Sequence, residues 1–229
     1  MISVIIPTLN EKKNVAILAK KLSRIKFISE IIYVDDNSKD GTFEEIKKLR
    51  KKKKIRGYQR KKIRDLSKSV IYGVIKSKKN NVLIMDCDLQ HDTDYILKMW
   101  NQFKHKNVDL VIASRFADKS FYGNLGFFRS TISKIAISTI NLIFGKKTTD
   151  PLSGFFICKK TLITKHKFKF FAKGYKILFD ILYNGQKNIT VSDQPIIFRK
   201  RKHEKSKFNL RIIRLFFYQI LYTKLLVKK

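Results

Sequence analysis

Residues 82–90 read VLIMDCDLQ, four apolar residues followed directly by Asp86 and Asp88. Side chains two positions apart on an extended strand point to the same side, so we expect both carboxylates to face one way. Two carboxylates on one face repel each other, and a divalent cation between them would relieve that repulsion. Together with the amide of Gln90 they make an all-oxygen donor set that suits Mg²⁺ or Mn²⁺. The alternative is an acidic turn, because Asp is common in turns.

Two more acidic clusters follow strand-like runs, Asn10-Glu11 after the first and Asp35-Asp36 after the second. Ligands of open parallel sheets bind outside the carboxyl ends of the strands, so we expect all three clusters to face one cleft. The chain has no Gly-rich phosphate loop, which disfavours a dinucleotide-binding or Walker-type site. A phosphorylated ligand in such an acidic cleft requires a metal that reverses the local charge.

The pattern up to about Ser114 predicts an α/β fold with a mostly parallel sheet flanked by helices. Helical spacing of apolar residues predicts helices over residues 15–25 and 43–49, with Thr42 as the N-cap of the second. The predicted strands cover residues 2–6, 30–34, 54–58, 82–85 and 109–113.

The second half of the chain is less regular and carries the predicted substrate-facing elements. We expect one domain over residues 1–208, because no linker interrupts it, and an amphipathic helical appendage over residues 209–229. Apolar clusters beside Arg and Lys in this appendage favour a helix in the membrane interface; the alternatives are packing on the sheet or an oligomer contact. The other predicted elements are a loop over 121–129, helices over 130–144 and 175–183, a turn over 150–154 and two short strands that bracket Gln194-Pro195.

The chain is strongly basic: its 229 residues include 51 Lys and Arg against 18 Asp and Glu, a formal charge of +33. Such a charge attracts phosphates, anionic lipid headgroups or nucleic acid. The alternative is a lysine-rich composition with solvated faces, because the Lys pairs are scattered. Nucleic-acid binding is disfavoured, since three acidic clusters would repel a phosphate backbone.

Cysteine usage and hydropathy bear on the compartment. Cys87 and Cys158 lie in no CxxC pattern, so we expect no zinc site or disulfide framework and a reducing environment. We also expect no signal peptide and no spanning helix, since the longest uncharged stretches are shorter than the roughly 20 residues that a span needs. These features predict a cytoplasmic protein that is peripheral on the cytoplasmic face of a membrane.

Four stretches resemble the motifs of inverting GT-A glycosyltransferases of family two: SVIIPTLNE at 3–11, VDDNSKDGT at 34–42, DCDLQH at 86–91 and DPLSGFF at 150–156. Within that family the similarity is to dolichol-phosphate mannose synthases and their bacterial polyprenyl-phosphate relatives, and it covers residues 2–208. The resemblance implies a Rossmann-like GT-A fold with a DXD motif.

The resemblance also implies roles for individual residues. Asp88, Arg115, Arg129 and Ser133 take the catalytic roles; Asp86, Asp88 and Gln90 bind the metal. Arg129 and Ser133 grip an acceptor phosphate, for which the planar fork of Arg is suited. The nucleotide-sugar site comprises Pro7, Leu9, Glu11, Val34, Asp36, Asp86, Cys87, Asp88, Gln90, Arg115, Lys176, Arg201, His203 and Lys207. Asp65 and Glu204 stand where relatives usually have glycine, and His91 is interpreted as structural or solvent-exposed.

The implied reaction is transfer of mannose from GDP-mannose to a polyprenyl phosphate at an anionic membrane surface, with Mg²⁺ or Mn²⁺ as cofactor. The alternative is a metal-dependent transferase that acts on a saccharide acceptor in cell-surface polysaccharide synthesis, with Asp150 as catalytic base. The sequence leaves open a membrane-spanning partner or a homo-oligomer.

Overall fold

The computed structural model describes residues 1–61, 64–118, 127–174, 176–199 and 210–227, without the side chains of 127–130, 210–213 and 227. The described strands form one seven-stranded sheet. In chain order they are β1 Ile2–Thr8, β2 Ile28–Asp35, β3 Ile55–Gln59, β4 Asn81–Ile84, β5 Leu110–Ser114, β6 Phe156–Lys159 and β7 Val191–Pro195. In space their order is β3-β2-β1-β4-β6-β5-β7.

Helices connect the strands and cover the sheet. They are α1 Lys12–Ser23, α2 Thr42–Leu49, α3 Leu66–Lys76, α4 Tyr95–His105, α5 Phe127–Phe144, α6 Thr161–Thr164, α7 Ile177–Tyr183 and α8 Leu210–Val227. A single 3₁₀ turn at Lys167–Lys169 follows α6. The predicted fold class, a mostly parallel sheet with flanking helices and a C-terminal helix, is confirmed.

The five strands predicted for the first half are all present. The pairs β1–β2, β2–β3 and β1–β4 are parallel. β6 lies between β4 and β5 and is antiparallel to both. The sequence pattern did not predict β6. The two short strands predicted around Gln194-Pro195 are wrong, because both residues lie at the end of the single strand β7.

The start of α2 also differs from the prediction. Gly41, at φ 87°, occupies the N-cap position, and Thr42 is the first helical residue. The carboxylate of Asp40 accepts hydrogen bonds from the Thr42 backbone N–H at 3.0 Å and from its hydroxyl. Thr42 itself accepts a hydrogen bond from the Glu11 N–H at 2.8 Å, so its side chain joins α2 to the end of β1 instead of capping a helix.

The core has a layer on each face of the sheet. Val4 and Ile6 of β1 contribute to the layer under α1 and α4, and Ile5 contributes to the layer under α3 and α7. Strands that are buried on both faces read as continuous apolar runs, which explains the sequence of β1. α3 lies very close to β1, since a Cβ on Gly73 would come within 2.5 Å of Ile5 Cγ2.

The C-terminal helix α8 packs on the domain with one face. Gln219, Ile220 and Thr223 are buried there, and Phe216 contacts Phe179 of α7 with ring centroids 6.1 Å apart. The predicted helix is present, and packing on the domain, one of the alternatives, accounts for this face. In the described part of the chain, none of the helices has both the length and the apolar character to cross a bilayer.

Candidate active site

The three acidic clusters lie at neighbouring strand ends. β2, β1 and β4 are adjacent and parallel, so their carboxyl ends meet at one edge of the sheet. The loops after β1 and β2 are bonded to each other: Asn10 N–H donates to Ser38 Oγ at 2.8 Å, and Lys39 N–H donates to Asn10 Oδ1 at 3.0 Å. The three acidic clusters therefore follow adjacent strands at one edge of the sheet.

Asp36, at the end of β2, is held in place by a buried ion pair. Its Oδ1 accepts from Arg60 Nη1 at 2.7 Å, and its Oδ2 accepts from the backbone N–H of Asp65. Burial raises the pKa of Asp36, and the charge of Arg60 opposes that rise. Arg60 was not among the predicted site residues, because only the sheet register reveals that residues 24 positions apart meet.

The other residues predicted for the nucleoside side lie at the same edge. Pro7 of β1 is paired with Val34 of β2, and both are buried. Glu11 is only 5% exposed, and its Oε2 accepts from Asn14 Nδ2 at 2.7 Å. Leu9 lies in the loop after β1, between Pro7 and Glu11 in the sequence.

The turn after β4 carries the predicted metal ligands. The strand ends at Ile84, so the expected strand geometry does not extend to Asp86 and Asp88, and a turn with Leu89 at φ 62° places them instead. Asp88 Oδ1 accepts from the Gln90 N–H at 3.1 Å, and Gln90 Nε2 donates to the Arg199 carbonyl at 3.1 Å.

Cys87 was predicted among the donor-binding residues on the resemblance. Its side chain is 2% exposed and packs in the core layer that also contains Tyr33 and Met85. The thiol is therefore part of the core, and it does not line the cleft.

The carboxylate of Asp86 lies close to His91 on one side and to Gly154 on the other. His91 Nε2 lies 3.5 Å from Asp86 Oδ2, and a Cβ on Gly154 would come within 2.7 Å of the same oxygen. The His91 ring is buried against Phe155 and Phe198, and its Nδ1 has no hydrogen-bond partner. His91 is thus structural, as interpreted, but not solvent-exposed, and it adjoins a candidate ligand.

The donor chemistry of this turn fits a divalent cation. The described residues contain no group of three His, Cys, Asp or Glu side chains that would hold a metal unaided. Mg²⁺ is typically bound through one or two carboxylates together with substrate phosphates, which matches Asp86, Asp88 and the amide oxygen of Gln90. The carboxylate of Asp86 is 37% exposed, so a ligand in the cleft can reach it.

Arg115, after β5, forms a bidentate ion pair with Asp150. The guanidinium donates to Asp150 Oδ2 at 2.7 Å and to Oδ1 at 2.8 Å, and the Arg115 N–H adds a third bond at 3.2 Å. Asp150 is fully buried. The suggestion that Asp150 is a catalytic base is therefore wrong, because both of its oxygens face Arg115 and none is exposed to an acceptor.

Lys176, directly before α7, lies beside this ion pair. Its Nζ donates to the Leu152 carbonyl at 3.2 Å. Burial and the nearby charge of Arg115 lower the pKa of Lys176 to about 8, while Asp150 and Asp86 oppose that shift. The cleft therefore holds two cationic side chains beside its carboxylates.

The predicted acceptor residues lie on or near α5. Ser133 is partly buried on this helix, and the Arg129 side chain lies outside the described residues. Three residues predicted for the nucleotide-sugar site also lie outside them: Arg201, His203 and Lys207. An open surface pocket of about 300 Å³ lies beside α5. The sequence reasoning missed its lining residues, which are Phe116, Lys134, Ile137, Ser138 and Thr149.

The chain matches the model of the family described as "Glycosyl transferase family 2" over residues 3–167. It is 33% identical over 216 residues to the dolichol-phosphate mannosyltransferase of Pyrococcus furiosus, an alignment that covers 93% of this chain and 60% of that protein. It is 29% identical to the Saccharomyces cerevisiae enzyme of the same name, over 92% of this chain and 82% of that one. The chain thus spans about three fifths of the length of the archaeal relative.

Solved structures share the fold. Glucosyl-3-phosphoglycerate synthase from Mycobacterium tuberculosis, in complex with Mn²⁺, UDP and glucosyl-3-phosphoglycerate, superposes with a TM-score of 0.72 at 17% identity. The superposition covers 98% of this chain and 78% of the other. At this identity the likeness supports the predicted GT-A architecture and nothing finer.

Proposed function

Because the chain belongs to glycosyl transferase family 2, we propose that it transfers mannose from GDP-mannose to a polyprenyl phosphate, with inversion at the anomeric carbon. The archaeal and yeast relatives are both named dolichol-phosphate mannosyltransferases, which supports mannose as the transferred sugar and a dolichol-type phosphate as the acceptor. A saccharide acceptor is the alternative. The saccharide alternative is less well supported, because an acceptor hydroxyl needs a catalytic base and both oxygens of Asp150 are bonded to Arg115.

The observation that carries the proposal is the meeting of carboxylates and cations in one cleft. Asp86 and Asp88 lie in the turn after β4, and Arg115 and Lys176 lie close enough for the charge of Asp86 to act on both cationic side chains. A divalent cation held by Asp86, Asp88 and Gln90 would supply charge neutralisation for a leaving nucleoside diphosphate. Lys176 would add positive charge beside it, and the ion pair with Asp150 would hold the Arg115 guanidinium in a fixed orientation during the reaction.

The acceptor side needs no catalytic base. A phosphate monoester has a second pKa of about 6, so at neutral pH it is largely a dianion and already nucleophilic. The chain must therefore position it and exclude water. We propose that the acceptor phosphate binds at the pocket lined by Phe116, Thr149 and Lys134. Ser133 lies one helical turn before Ile137, which also lines that pocket.

A lipid acceptor requires the chain to work at a bilayer surface. We propose that it is peripheral on the cytoplasmic face, with α8 in the membrane interface. The outward face of α8 supports this, because Phe217, Leu221 and Leu225 are 56–69% exposed. Residues of this size on an uncovered helix face suit the boundary between headgroups and acyl chains.

The central test is replacement of a metal-binding carboxylate. Asp88→Asn should lower transfer of labelled mannose from GDP-mannose to dolichyl phosphate in detergent with Mn²⁺ by roughly 100-fold or more. Asp94→Asn is the matched control, since Asp94 is an exposed carboxylate six positions further along the chain. It should keep wild-type activity.

Two outcomes would contradict the proposal. One is equal activity of Asp88→Asn and wild type. The other is transfer to an oligosaccharide acceptor with none to dolichyl phosphate, which would establish the alternative.

A further inference from the structure

The helix α8 is buried on one side and exposes large apolar residues on the opposite side. Gln219, Ile220 and Thr223 lie against the domain, while Phe217 and Leu225 on the other side are 58% and 69% exposed. The outward side of α8 therefore lacks a covering surface in the described part of the chain.

A second exposed segment adjoins α8 and has a different composition. Residues 165–173, which we call the lysine segment, read KHKFKFFAK and contain no acidic residue. Phe168 is 73% exposed. Four lysines of the segment are exposed as well: Lys165, Lys167, Lys169 and Lys173.

Direct contacts make α8 and the lysine segment one surface. Tyr222 Oη of α8 donates to the Lys169 carbonyl at 3.3 Å, and its ring lies 5.5 Å from that of Phe171. Both elements also bond to the buried carboxylate of Asp180 in α7. Its oxygens accept from the N–H groups of Phe171 and Ala172 at 3.1 and 3.0 Å, and also from the side chain of Gln219.

We propose that the lysine segment and the outward face of α8 form a single docking surface for an anionic phospholipid bilayer. The inference deepens the proposed function, because it adds a second element, distant in sequence, to the membrane contact of α8. The lysines match anionic headgroups, and the exposed Phe and Leu side chains match the acyl boundary. Two anchors, unlike one helix, fix the orientation of the domain on the membrane.

Two other occupants fit the surface less well. A nucleic acid would pair with the lysines but would leave Leu221 and Leu225 without an apolar partner. A second copy of this chain would bring the same positive surface, and the net charge of +33 opposes such an approach.

The test is binding of the full chain, without substrates, to phosphatidylcholine vesicles with and without phosphatidylserine. Replacing the four segment lysines by Gln should weaken binding to the phosphatidylserine vesicles roughly tenfold or more. The matched control replaces Lys51, Lys52, Lys53 and Lys54, which are also exposed, and removes the same charge. It should change the affinity much less.

The apolar contribution has its own matched pair. Phe168→Ser should weaken binding to both kinds of vesicle, whereas Leu97→Ser, at a side chain of α4 that is 54% exposed, should not. Transfer to a short-chain polyprenyl phosphate in detergent should stay at the wild-type value in all four variants. The unfolding midpoint should stay at the wild-type value in the two serine variants and be the same in the two lysine variants. These detergent assays also test the proposed transfer reaction, so its failure is distinguishable from failure of docking.

Three results would overturn the inference. An equal loss of vesicle affinity in both lysine variants would show that the overall charge of the chain, and not the lysine segment, attracts it to the membrane. Displacement from vesicles by RNA at equal charge concentration would favour a nucleic-acid partner. A dimer in solution that Phe168→Ser dissociates would identify a second copy as the occupant.

Discussion

Lys176 is the residue whose protonation should set how the cleft responds to pH. Burial and Arg115 lower its pKa to about 8, so in the free protein it loses its charge as the pH rises through about 8. A bound diphosphate stabilises the charged form and raises that pKa. Affinity for a nucleoside diphosphate should therefore fall by up to about tenfold per pH unit above pH 8, until the pKa of the complex is reached.

The measurement is calorimetric titration of GDP with Mg²⁺ at several pH values. Lys176→Met should bind more weakly at neutral pH and lose this pH dependence, while Lys187→Met, at an exposed lysine, should behave as wild type. A wild-type pH profile in Lys176→Met would assign the dependence to another group.

Asp65 connects the end of β2 to the segment just before α7. Its Oδ1 caps α3 by accepting from the Lys68 N–H at 3.0 Å, and its Oδ2 accepts from the Gly174 N–H at 2.7 Å, two residues before Lys176. Its own N–H donates to Asp36. Asp65 thus links the nucleoside side to the segment that carries Lys176, at a position where the relatives usually have glycine.

Two variants separate capping from this link. Asp65→Ser keeps a good N-cap and Asp65→Ala does not, so the alanine variant should be about 1 kcal/mol less stable than the serine variant in urea unfolding. Both lose the bond to Gly174 and should bind GDP several-fold more weakly. Wild-type affinity in Asp65→Ser would show that the link has no role in binding.

At the scale of elements, Gln219 connects α8 to the active site. Its Nε2 donates to the Lys176 carbonyl at 3.2 Å, and its side chain also bonds to Asp180. Gln219→Leu removes these bonds and leaves a buried carboxylate with one donor fewer, which should cost about 1–3 kcal/mol of unfolding free energy. Hydrogen exchange in α8 should become faster.

Gln186→Leu provides the comparison for this variant, because Gln186 is exposed and bonds only locally to Asn188. It should leave both stability and exchange unchanged. Equal exchange rates in the two variants would mean that α8 is held by its apolar contacts alone.

Elements with a strong local pattern were predictable from the sequence, and those fixed by partners distant in the chain were not. β1 and β2 are apolar on both faces and bounded by turn residues. β6 is a four-residue strand directly after the Asp150–Gly154 turn, and its place between β4 and β5 depends on pairing with residues about 45 to 80 positions earlier. Likewise, the motif positions showed Asp86 and Arg115, but the partners His91 and Asp150 follow only from three-dimensional contacts.

At the scale of the whole molecule, the charge of +33 should dominate the response to salt. Like charges destabilise the compact state, and salt screens them over a Debye length of about 10 Å at roughly 0.1 M. We expect the thermal midpoint to rise as NaCl is added at constant pH. Sucrose at matched osmolality is the control, and a midpoint that falls with NaCl would show that attractive ion pairs outweigh the repulsion.

The antiparallel strand between β4 and β5 has a consequence for synthesis on the ribosome. Within the described sheet β5 pairs with β6 and β7, and both follow it in the chain. β1 to β4 can assemble as they emerge, but Leu110–Ser114 must wait for about 45 further residues, which is several seconds at roughly 5–20 residues per second. During that interval a strand that is fully buried in the folded protein stays outside the nascent fold, and it is the stretch that we expect a chaperone to hold.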